Sequence, residues 1–176
     1  MRFQCRDAAP FLTTVLLSLG AVSVTEAPAN TPAPAPGAKE KEAVLTTRGT
    51  GTFDVKLSPQ AGDDKAEGVT PGRMSVDKVF HGDLEGTSKG EMLTAMTAVK
   101  GSAGYVAIEQ VSGSLKGRIG TFTLQHSGTM TRGTQQLSVT VVPDSGTGQL
   151  AGLAGRMTIR ITDGHHFCEL ESTLPD

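Results

Sequence analysis

From Thr47 onward the chain alternates between apolar and polar residues. Gly49, Gly51, Phe53, Val55 and Leu57 fall on one parity; Arg48, Thr50, Thr52, Asp54 and Lys56 fall on the other. A period of two is the signature of a half-buried strand. A polar stretch from Ser58 to Gly72, broken by Pro59, Gly62, Gly68 and Pro71, reads as a loop. Seven more alternating stretches follow. They run from about Arg73 to His81, Leu84 to Thr97, Gly104 to Ser112, Arg118 to Met130, Gln136 to Val142, Arg156 to Thr162, and His165 to Leu174. Asp163-Gly164 between the last two is a strong two-residue hairpin signal. No window of helical length holds a 3.6-residue period. The pattern predicts an all-β domain of about eight strands.

A repeat supports that count. Gly82-Asp83-Leu84-Glu85-Gly86, Gly113-Ser114-Leu115-Lys116-Gly117 and Gly148-Gln149-Leu150-Ala151-Gly152 share the form Gly-x-Leu-x-Gly, and each precedes a further Gly and an alternating run. The spacing holds two strands with their turns. Gly82, Gly86, Gly113, Gly117, Gly148 and Gly152 are thus expected as structural turns in one hairpin corner used three times, with the leucine plugging a barrel end. A meander of this kind must hide its edges, and closure into a single antiparallel barrel does so. The glycine clusters are not phosphate loops, because no helix follows any of them and Gly-Lys-Ser/Thr is missing.

Ahead of the strands lie two segments of different composition. Arg2 and Arg6 precede an apolar run from Phe11 to Val24. That run has the length of a signal-peptide core and is too short for a membrane span. Residues 1–26 are therefore expected to be a leader. Residues 27–45, rich in alternating Pro and Ala, are expected to be an extended linker, and 46–176 the barrel domain. A cleaved leader would place the protein in the periplasm or outside the cell, without a membrane span in the mature chain. A misassigned start would leave it in the cytoplasm.

Composition narrows the function. The formal net charge is -2, with no Trp, one Tyr and no clustering of Lys and Arg. Neither an electrostatic footprint nor a stacking platform for nucleic acid is present. Cys5 lies in the leader, and Cys168 reads as a small core hydrophobe.

An eight-stranded barrel is just wide enough to be filled by side chains or to hold one small ligand, so inward polar residues carry the interest. His126 shares parity with Phe122, Leu124 and Met130. On that face it needs a partner, either as a structural histidine or as a pocket group. Tyr105 and Glu109 share one face of their strand, while Val106 and Ile108 occupy the other. Either face could point inward, and the outward assignment of Tyr105 and Glu109 is preferred. Tyr105, Glu109 and His126 are the candidate ligand-binding residues. Glu169 and Glu171 are expected outside. His165 and His166 are adjacent, so a strand sends them to opposite faces and no metal site is expected. No cofactor is expected, and no catalytic triad can be read from spacing.

Several stretches resemble a bacterial family of small proteins of unknown function. They include Gly72 to Gly90, Gly101 to Glu109, Leu124 to Met130 and Val141 to Gly148. The resemblance covers about Thr47 to Leu174. It implies a barrel similar to that of plant allene oxide cyclase and supplies no catalytic residues. Three functional classes follow. The first is a binding module holding a small, largely apolar molecule, with Gly86, Ser88 and Gly90 leaving space inside. The second is an isomerase- or cyclase-like enzyme using Tyr105, Glu109 and His126. The third is a non-catalytic, homo-oligomeric scaffold associating through residues such as Val106 and Ile108. Whether the protein is an enzyme stays open at this level.

Overall fold

A computed structural model describes residues 44–61 and 68–175. The expected leader and all but the last two residues of the expected linker lie outside that range. The described chain is a closed antiparallel barrel of eight strands in sequence order. The strands are β1 (Val44–Gln60), β2 (Val69–Gly82), β3 (Leu84–Thr97), β4 (Ala103–Leu115), β5 (Arg118–Thr131), β6 (Thr134–Val141), β7 (Ala154–Thr162) and β8 (His165–Pro175). Closure is made by β8 on β1, from Val44↔Pro175 to Phe53↔His166. Several strands run longer than their alternation predicts. Pairing with neighbours extends β2 back to Val69, through Pro71 and Gly72, where apolar alternation gives no signal. No helix among the described residues is long and apolar enough to cross a membrane.

The two barrel ends differ. At one end the turns are β2–β3, β4–β5 and the β6–β7 connection. There the interior is filled by a cluster that includes Phe80, Leu84, Val111, Leu115, Phe122, Leu150 and Leu153, all nearly inaccessible. The three repeat leucines, Leu84, Leu115 and Leu150, belong to it and plug this end.

The repeat is nevertheless not one corner used three times. Gly82 ends β2, Leu84 opens β3, and Asp83 alone makes the turn. Leu115 ends β4, and Lys116-Gly117, with φ of 48° and 83°, form a two-residue turn. Gly148–Leu150 is a short 3₁₀ helix. The third copy differs because β6 stops at Val141 and meets β7 through one register pair, Thr140↔Arg156. The β6–β7 connection continues along β5 instead. The Val142 and Thr147 amides donate to the Thr123 and Thr121 carbonyls, each at 2.8 Å, before Leu150 and Leu153 turn into the core.

Outside, cross-strand ion pairs join Arg73 to Glu91, Asp77 to Lys89, Arg48 to Glu169 and Arg156 to Glu171. Glu169 and Glu171 thus face outward as their parity predicts. Exposed pairs of this kind contribute little individually.

Candidate functional site

At the opposite end, toward the β1–β2, β3–β4, β5–β6 and β7–β8 connections, the barrel is hollow. A cavity of about 420 Å³ opens there, within the usual size range of small-molecule sites. Its walls are mostly apolar: Phe53, Val55, Val76, Met92, Ala107, Met130 and Ile159. Exposed Leu57, Met96, Leu137 and Ile161 stand around the mouth. The barrel is therefore half filled and half hollow.

The floor, where hollow meets filled, is charged. Lys78, Ser88, Glu109 and His126 come from four consecutive strands, β2 to β5. Each occupies an inward position and is buried, Lys78 between Val76 and Phe80 and Glu109 between Ala107 and Val111. Register assembles them. Lys78 pairs directly with Ser88. Glu109 is diagonal to Ser88, which faces Val111, and His126 is diagonal to Glu109, since Ala107 faces His126. The Lys78 Nζ donates to Glu109 Oε2 at 2.6 Å, and the Ser88 hydroxyl donates to Glu109 Oε1. The Lys78 ammonium also lies 4.8 Å from the Phe53 ring centroid and 5.8 Å from that of Phe80, within cation–π range.

His126 Nε2 is 3.0 Å from Glu109 Oε2 but out of line for an N–H···O bond. It has no hydrogen-bond partner among the described residues. Two lone pairs at that distance would repel, so a hydrogen is assigned to Nε2.

Burial by itself raises the Glu109 carboxyl. The nearby His126 ring, the Lys78 ammonium and the Ser88 hydroxyl outweigh it and bring it down to about 2. A depressed carboxyl favours folding above its unfolded value and loses that contribution in acid. From the ordinary 4.5 to about 2, the difference is worth roughly 3 kcal/mol at neutral pH. It is present in full above about pH 4.5 and is lost as pH falls through about 2. Denaturant midpoints measured across that acid range should fall for the native protein, with a clearly shallower fall for Glu109→Gln.

The three sequence candidates thus meet in one cavity, and the preferred outward assignment of Tyr105 and Glu109 is corrected. Glu109 is 1% exposed and faces in, with Val106 and Ile108 more than half exposed outside. Tyr105 stands in the wall above Glu109, and burial followed by the Glu109 charge pushes its hydroxyl up. Gly128 lies opposite it, and a Cβ there would come within 2.2 Å of the Tyr105 ring. That glycine makes room for the ring. Sequence reasoning missed Lys78, although its parity with Val76 and Phe80 was a readable signal. It noted Ser88 only as a source of space. Gly86 and Gly90 do not supply that space. A Cβ on Gly90 would meet the Ile108 carbonyl oxygen and Glu109 Cα within 3 Å, so Gly90 lets β3 approach β4 closely. His166 lines the cavity beside Phe53, their ring centroids 4.9 Å apart. Cys168 is a buried free thiol, pushed up by burial.

Residues 49–171 match the model of the family described as protein of unknown function, DUF3224. The chain belongs to this family. The crystal structure of a DUF3224 protein of unknown function from Shewanella oneidensis MR-1 is similar to this one. It has 55% sequence identity and a TM-score of 0.70 over 75% of this chain and 99% of that chain. No curated protein matches the chain. The DUF3224 match spans all four floor residues and Tyr105.

Proposed function

We propose that this DUF3224 barrel binds a small, largely apolar molecule in its open end. The observation that carries this reading is the hollow half-barrel, with apolar walls and a charged floor. Burial of an apolar body in such a cavity is favourable at roughly 25 cal/mol per Å² removed from water. The charged floor fixes orientation. If the leader acts as a signal peptide, binding takes place outside the cytoplasm.

Tyr105 is the chain's one tyrosine, and there is no Trp. Intrinsic emission therefore reports on the cavity wall. Titration with a non-fluorescent apolar probe should change tyrosine emission in a saturable way. Ala107→Phe, which places a ring in the cavity, should abolish the response. A response that does not saturate, or that survives Ala107→Phe, would count against the cavity as the site.

The convergence of Tyr105, Glu109 and His126 favours a second reading, an isomerase- or cyclase-like enzyme resembling allene oxide cyclase. Glu109 is poorly suited as its base. Both its oxygens are engaged, and a carboxyl near 2 lies far below the pH at which a general base works best. Proton transfer in that reading would fall to His126.

A further inference from the structure

Resting on the binding reading, we infer that the ligand carries a neutral hydrogen-bond acceptor, a carbonyl, and binds with that group at the floor against Lys78 and His126. Each oxygen of Glu109 already accepts a hydrogen bond. The Lys78 ammonium donates to one of its oxygens and the Ser88 hydroxyl to the other. What lacks an aligned partner at the floor is of the donor kind. An ammonium has three N–H groups. Among the described residues, Glu109 is the hydrogen-bonded acceptor of Lys78, and both residues line the cavity. His126 Nε2, on a side chain only 5% exposed, lines the same cavity and has no aligned partner. A buried donor left unmet is costly, and a carbonyl oxygen entering from the mouth satisfies it.

The charge balance disfavours the other common acceptor head, a carboxylate. Lys78 and Glu109 already neutralise each other. A second carboxylate would sit beside the first in a poorly solvated site, where like charges repel strongly. A hydrocarbon, in turn, leaves Nε2 unmet. The floor therefore ranks three heads on one body: ketone, then hydrocarbon, then carboxylate.

Acetonaphthone, isopropylnaphthalene and naphthoate carry these heads on the same ring system, and calorimetric titration into the full chain reads their affinities. The ketone should bind about tenfold or more tightly than the hydrocarbon, and the carboxylate weakest. The bound ketone's carbonyl stretch should move to lower frequency in the infrared. His126→Phe should bring the ketone's affinity down toward that of the hydrocarbon. The stretch, measured on the unaltered protein, decides the matter if that variant does not fold. Equal affinities for ketone and hydrocarbon, tighter carboxylate binding, or an unshifted stretch would overturn the carbonyl assignment while leaving the cavity as a binding site. Failure of all three probes to bind would overturn the binding reading itself.

Discussion

Replacing Glu109 by glutamine should cost about 3–5 kcal/mol of folding stability, because it leaves the Lys78 ammonium buried without a counter-charge. Glu109 is 1% and Lys78 6% exposed, so water cannot take over as it would at the surface. Glutamine keeps the shape and can still accept from Ser88, which isolates charge as the variable. The converse follows from the same physics. Buried ion pairs often add little net stability, since desolvation of both ions offsets their attraction. The double replacement Lys78→Met with Glu109→Leu should therefore recover most of the loss, to within about 1 kcal/mol of the native protein. Urea denaturation of the single and double variants checks both statements. A single variant costing less than about 1 kcal/mol would mean the pair is solvated. A double variant as unstable as the single would mean that the pair's loss is not about charge.

Phe122→Ala should lose a similar amount, about 3–5 kcal/mol, for a different reason. Phe122 is 1% exposed in the cluster that fills the closed end. Truncation there removes apolar burial and leaves a void that the surrounding strands cannot collapse into. Met92→Ala makes the contrast. Met92 lines the open cavity, where empty space already exists, so its truncation should cost less than about 1 kcal/mol. Thermal or urea unfolding of the two variants reads the difference. Similar losses at both positions would mean that the barrel is packed along its whole length.

The barrel was legible in the chain because alternation of period two survives in every strand and because glycine-rich corners punctuate it. The strand-end extensions were not, since they rest on cross-strand pairing rather than on side-chain pattern. The facing of Tyr105 and Glu109 shows what was missing. With Val106 and Ile108 on one parity and Val111 and Ala107 on the other, hydrophobicity cannot choose. Register can. The two-residue turn at Lys116-Gly117 pairs Leu115 with Arg118 and so Glu109 with Leu124. Directly opposed residues share a face, and the Phe122–Leu124 face is plainly the core. Lys78 was legible on the same terms, as a polar residue flanked at two-residue spacing by Val76 and Phe80. The cavity itself could not be read from the chain. It depends on which inward residues are small near one end, and glycines that look like vacancies, such as Gly90, are filled by neighbouring backbone.

Two substitutions on one face of β4 test the half-filled, half-hollow barrel most directly. Ala107 lies in the cavity and Val111, two inward positions further along, in the plug. The measurement is the urea unfolding free energy of Ala107→Phe beside that of Val111→Phe. A hollow end should accept the added ring at Ala107 with a change within about 0.5 kcal/mol, while overpacking at Val111 should cost about 1–3 kcal/mol. Equal and large losses at the two positions would contradict a hollow open end.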